Sequence, residues 1–259
     1  MGEKDKEMKK LMFVAALAAA FSATADGIES NNTVGYQEKD IGAFNLTLTT
    51  FAKMGGNAVL GDIKPNAAFI AAPGTIQTFT SAGKAGPVYI YVNDPEMLEV
   101  FEAEEGWYLF EDGELTDCKN TTELPFATGF VAKSSGAGSA LTYAGEVKAT
   151  TTEIPVAAFS LTGNCSPADI TLQNLVPNAA FIASAGTVQP FTSAGKAGPV
   201  YIYVNDEEML EVFEAQEGWY LFEDGELTDC KNSVPLASGE AFVSKSSGSG
   251  ATLSVPSAL

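Results

Sequence analysis

The chain of 259 residues has no histidine and no arginine; all 14 of its basic side chains are lysine. Without imidazole there is no Ser-His-Asp or Cys-His nucleophile system and no His-ligated metal. Without guanidinium, and with 33 acids giving a net charge of −19, the chain is a poor partner for nucleic acid, whose phosphates it repels. Cysteine is scarce, three in all, so no disulfide-rich scaffold is expected. Long apolar runs are nearly absent. Leu11 to Phe21 is the one such run, and it falls short of the roughly 20 residues of a membrane-spanning helix. Core-forming residues are not lacking: 46% apolar and 10% aromatic suffice for a packed interior and argue against global disorder.

Two lysines, Lys9 and Lys10, precede that apolar run, and Ser22-Ala23-Thr24-Ala25 follows it. A short positive region, an apolar stretch and small residues before a cut after Ala25 make a secretory signal peptide of residues 1–25. Met8 is the natural start of that leader. No Cys follows the cut, so no lipid anchor is expected there. The product is expected to be secreted, periplasmic or at the cell surface, with no membrane span.

A repeat dominates what remains. Pro65–Asn120 aligns without gaps on Pro177–Asn232 at a shift of 112, with six differences in 56 positions. Looser echoes flank it: Gly129 to Gly136 returns between Gly239 and Gly248, and Phe44-Asn45-Leu46-Thr47 returns as Phe159-Ser160-Leu161-Thr162. The chain therefore reads as an N-terminal segment, residues 26–43, then module one, 44–147, and module two, 148–259. Modules of this size bury enough surface to fold alone.

Within a module the patterns have period two. Phe44, Leu46 and Leu48 alternate with polar neighbours; 67–71 and 75–80 are short strand candidates; Pro87 to Val92 is β-branched and aromatic throughout. If its tyrosines form a sugar-stacking platform, Val88, Ile90 and Val92 face the core and Tyr89 and Tyr91 face out. Trp107–Phe110 ends at the turn pair Asp112-Gly113, and Phe130–Lys133 and Ala140–Tyr143 flank a Gly-rich loop read as a hairpin. About eight short strands with frequent turns predict a mainly β chain of two tandem β-sandwich-like or small barrel modules. Asp94–Gly106 is ambiguous. Asp at the start, Pro next, acids in the first turn and Gly at the end signal a helix. Leu98 and Val100 alternating about Glu99 signal a strand, and the strand reading is favoured, with one short helix per module as the alternative.

The segments Ile28-Glu29-Ser30-Asn31-Asn32-Thr33-Val34-Gly35-Tyr36 and Gly138-Ser139-Ala140-Leu141-Thr142-Tyr143-Ala144-Gly145-Glu146-Val147, with the repeat layout, resemble uncharacterised exported tandem-repeat proteins of Gram-negative bacteria. That resemblance implies export and repetition; it brings no activity and no catalytic residues.

Candidate sites follow from charge and aromatics. Asp94–Asp117 and Asp206–Asp229 each hold ten acids and no base. Asp112, Glu114 and Asp117, repeated as Asp224, Glu226 and Asp229, are hard oxygen donors of the kind Ca²⁺ takes. Their spacing fits no standard calcium loop, and a solvated acidic rim is the plainer reading. Trp107-Tyr108 and Trp219-Tyr220, with Tyr89, Tyr91, Tyr201 and Tyr203, could stack on sugar rings; cross-strand packing is the plainer reading. Glu105 and Asp112 bracket a strand and raise the two-carboxylate chemistry of glycoside hydrolysis. Cys118 and Cys230 are read as small apolar thiols beside a turn, with Cys165 near the module joint and no disulfide. The expected function is a non-enzymatic surface, matrix or adhesion protein in which repetition supplies length or valency. A pair of carbohydrate-binding modules is the alternative and a hydrolase the third. The expected partners are a second copy or a surface glycan, with no cofactor beyond Ca²⁺ at the acidic sites.

Overall fold

The computed structural model describes residues 34–43, 45–48, 58–80, 83–100, 104–191, 195–212 and 216–257. The leader, the first part of the 26–43 segment and Phe44 lie outside the described residues. The chain is mainly β. Module one contributes β1 (Val34–Asp40), β2 (Asn45–Leu48), β3 (Ala58–Val59), β4 (Lys64–Pro65), β5 (Thr75–Phe79), β6 (Ala85–Val92), β7 (Gly106–Glu111), β8 (Glu114–Cys118), β9 (Glu123–Leu124), β10 (Gly129–Lys133) and β11 (Ala140–Glu146). Module two repeats the series as β12 (Thr152–Pro155), β13 (Ser160–Gly163), β14 (Ile170–Thr171), β15 (Val176–Pro177), β16 (Thr187–Gln189), β17 (Val200–Val204), β18 (Gly218–Glu223), β19 (Glu226–Cys230), β20 (Pro235–Leu236), β21 (Ala241–Lys245) and β22 (Thr252–Val255).

Each series folds into one six-stranded sheet, one three-stranded sheet and a two-stranded ribbon. The orders are β2-β10-β5-β6-β7-β8, β1-β11-β4 and β3-β9, matched by β13-β21-β16-β17-β18-β19, β12-β22-β15 and β14-β20. β1 pairs with β11 along its whole length. Residues 34–40 therefore belong to module one's own sheet rather than to a separate N-terminal segment. β10 and β11 pair with different partners in different sheets, so the Gly-rich loop between them is a sheet-to-sheet crossing and not a hairpin.

Two expected strands are helices. Helix α1 (Ala67–Ala71) is capped by Asn66, whose side-chain oxygen accepts from the Phe69 amide at 3.0 Å. The same side chain donates to the Gly138 carbonyl at 2.8 Å and accepts from the Ala140 amide at 3.1 Å. Capping plus an Ala-rich run outweighs the short apolar pattern that suggested a strand. Helix α2 (Pro95–Val100) resolves the ambiguous segment: the Asp94 carboxylate accepts from the Glu96 and Met97 amides at 2.9 and 3.1 Å. The equivalents are α3 (Ala179–Ala183) and α4 (Glu207–Val212). No described helix is long and apolar enough to cross a membrane.

The Tyr-rich strand turns its rings inward, as cross-strand packing requires and against the sugar-stacking arrangement; Val92 at its end is buried as well. Tyr89 and Tyr91 are buried in module one's core with Trp107, Phe69 and Ile76, whereas Val88 and Ile90 are only half-buried. Tyr91 lies directly opposite Trp107 in the register, rings edge to face at 5.2 Å. A core this rich in aromatics takes the ring, and the phenol finds its own polar partner.

β10 is buried on both sides. Phe130 and Ala132 point into module one's core with Leu141 and Tyr143 of the three-stranded sheet. Val131, between them, joins the core of module two with Ala127, Leu161 and Val243. Phe79 and Phe126 pack against the same cluster, and the Phe79 and Phe159 rings are 6.4 Å apart. The two modules thus meet along a seam of β2 and β10 against β13 and β21, where Val131 packs with Leu161 and Val243.

Candidate functional site

The feature displayed twice lies at the far end of each six-stranded sheet from the seam. β7 and β8 form a hairpin whose two-residue turn is Asp112-Gly113, with φ of 52° and 87°. Both residues are left-handed, as a type I′ turn demands, and Asp-Gly is a sequence that permits it. Asp224-Gly225 repeats the turn with φ of 53° and 87°. β8 and β19 are edge strands, largely exposed, and acidic in sequence. Acidic side chains on an edge discourage further strand addition.

Behind each edge lies a fixed polar lattice. The Trp107 indole N–H donates to the Ile63 carbonyl at 3.0 Å, and its backbone amide donates to Asn120 Oδ1 at 2.9 Å. Asn120 Nδ2 reaches the Glu105 carbonyl, and the Tyr108 hydroxyl donates to the Glu104 carbonyl at 2.6 Å. Module two repeats all four: Trp219 to Leu175 and Asn232, Asn232 to Glu217, and Tyr220 to Gln216. Tyr91 donates to Glu105 Oε1 at 2.8 Å and Tyr203 to Glu217 Oε1 at 2.9 Å. Burial first, and then the bonded carboxylate, hold Tyr203 protonated up to about 12 and push Tyr91 upward in the same way.

The sequence-predicted residues fall out unevenly. Trp107 and Trp219 are 0% exposed, and Tyr108 and Tyr220 are buried beside them, so these four present no stacking face to solvent. The half-exposed rings of the same strands are Phe110 and Phe222. Glu105 and Asp112 stand at opposite ends of β7, about 20 Å apart at strand rise, well beyond the separation of about 5–10 Å that flanks one sugar. Among the described residues no group of three or more Asp, Glu, Cys or His comes together; Asp112, Glu114 and Asp117 do not form one, nor do Asp224, Glu226 and Asp229. Asp117 and Asp229 instead each meet a neighbouring lysine, Lys119 at 3.1 Å and Lys231 at 3.2 Å, exposed pairs worth well under about 1 kcal/mol.

Two of the three thiols lie elsewhere than expected. Cys118 and Cys230 end the edge strands as exposed thiols rather than packed ones; Cys165 is buried in the seam-side core, where burial raises its thiol to about 11. A position at the end of the acidic run Glu-Leu-Thr-Asp-Cys is itself the signal for an exposed edge. Comparison with protein-family models, with characterised proteins and with solved structures finds no match for this chain.

Proposed function

We propose that the chain is an exported, non-enzymatic surface or matrix protein whose duplication presents one acidic sheet edge twice. The observation that carries this reading is the distribution of identity between the modules. The segment Pro65–Asn120, nearly identical to its copy, contains β5 to β8, the half of the sheet that ends in the free acidic edge. The seam strands β2, β10, β13 and β21 lie outside it. The halves turned outward are therefore chemically the same, and a partner met by one edge is met by the other, which raises avidity without any new contact.

Two sequence-level alternatives lose their main support. The Trp-Tyr pairs are core residues, so a glycan reading passes to Phe110 and Phe222. The Glu105–Asp112 pair is too far apart to act on one glycosidic bond. A β-sandwich-like packing of the six- and three-stranded sheets agrees with the shared core of Phe130, Leu141 and Tyr143. The test is placement. Antibody to the purified chain, applied to intact producing cells and to cell-free medium, is expected to find it outside the cytoplasm, with intact mass showing loss of residues 1–25. A cytoplasmic product that keeps Leu11–Phe21 overturns the reading.

A further inference from the structure

The seam has an approximate twofold character. β2 and β13 hold matching places in the two large sheets, as do β10 and β21. β10 lies against β13, and β2 against β21, so one contact is read twice from opposite sides. That is the geometry of an isologous interface between two copies of one protein.

Its two flanks are nevertheless different. Asp40 pairs with Ala140, and Pro155 with Thr252, so Gln37 corresponds to Thr152 and Lys39 to Ile154. Ala127 and Gly239 share a left-handed φ, 62° and 68°, so Phe126 corresponds to Ser238. On the first flank the Gln37 amide donates to the Ser238 carbonyl and hydroxyl, both at 3.0 Å, and Lys39 Nζ lies 3.4 Å from the same carbonyl. Ser238 is itself held by Asp169 Oδ1, which accepts from its amide at 2.8 Å, and by the Ser166 carbonyl. On the second flank Phe126 packs against the apolar cluster that contains Ile154.

This asymmetry decides which modules can pair. Two first modules would set Gln37 and Lys39 against Phe126 on both flanks, desolvating an amide and an ammonium against a ring. Two second modules would set Ile154 against Ser238 on both. Only module one with module two satisfies each flank, and the mismatches act against the other pairings. Nothing in the match requires both modules to come from one chain. They are joined by the exposed residues 148–151, a hinge of about 13 Å at full extension.

We propose that a second copy of this chain is a partner for the seam: module one of each chain seats on module two of the other, closing a reciprocal dimer with two hetero-type seams. The proposal rests on the seam alone and stands apart from the reading of the outer edges.

The experiment uses the full chain, unfolded and refolded at rising protein concentration, with mass read by light scattering. Monomer is expected at low concentration, and a species of doubled mass with native near-ultraviolet dichroism is expected to grow with concentration. Pairing is then read in a Cys118→Ser, Cys165→Ala, Cys230→Ser background. Chains carrying Gln37→Cys and chains carrying Ser238→Cys are co-refolded with oxidised glutathione, which is reduced to two thiols as the interchain disulfide forms. A cross-link between unlike chains is expected, and none from Gln37→Cys chains alone. Monomer at every concentration in the unsubstituted chain overturns the proposal, whatever the variants do. So does a dimer that cross-links through Gln37→Cys alone.

Discussion

Tyr203 and Glu217 show how little the acidic surface needs to be loose. The phenol donates to the carboxylate at 2.9 Å, and its ionisation moves up to about 12. An unfolded tyrosine ionises near about 10. Stability from the protonated phenol is therefore whole below that pH and is lost as pH climbs towards 12. Ultraviolet titration is expected to find Tyr203 ionising well above the range of an unfolded tyrosine, and Glu217→Gln is expected to bring Tyr203 down. Thiols divide in the same manner. Alkylation of the folded chain at mildly alkaline pH is expected to modify Cys118 and Cys230 quickly and Cys165 only after unfolding, so mass spectrometry counts two adducts and then three. Trp107 belongs to the core rather than to a ligand: Trp107→Ala removes a fully buried ring and leaves the Ile63 carbonyl without its donor. Urea unfolding is expected to register a loss of about 4 kcal/mol.

The short elements are held by caps and turns more than by their own length. Asn66 makes three hydrogen bonds, to the first turn of α1, to Gly138 and to Ala140. Asn66→Ala is expected to cost about 2 kcal/mol in denaturant unfolding, a cap plus part of the crossing it ties down. Asn178 carries the same three roles in module two, and its alanine variant should match. These caps also mark what could be read from sequence. Strands β5, β6, β7 and β10 and the Asp-Gly turns are plain in the sequence because local chemistry alone sets them. Helix α1 is hidden in the sequence and α2 stays ambiguous despite its cap signals, because five or six residues are too few to display a helical period and the deciding cap bond is a single side chain. The inward direction of Tyr89 and Tyr91 was hidden because alternation identifies two faces without saying which is buried. One clue to the seam was present: Gly129-Phe130-Val131-Ala132 breaks the alternation, as a strand covered on both faces does.

At the scale of the molecule, one apolar cluster takes residues from both modules, Val131 and Ala127 from the first and Leu161 and Val243 from the second. That shared cluster predicts coupled unfolding of the two modules, against the independent folding that module size alone suggests. Trp107→Phe and Trp219→Phe each leave one indole as reporter, and the urea midpoints read from the two variants by fluorescence are expected to coincide after correction for each substitution. Separate midpoints would mean that the modules ignore each other. The connection at 148–151 adds a second expectation. Lys148 is exposed there, so brief trypsin treatment is expected to nick the chain after it and leave fragments that elute together until denaturant is added. That four-residue tether also has a consequence for life in a dilute medium. Two separate copies joined only by such a seam would drift apart once their concentration fell below the dissociation constant, whereas a short tether keeps each module at an effective concentration of about millimolar beside its mate. The pair therefore survives any degree of dilution outside the cell, and the number of acidic edges per particle stays two however few particles there are.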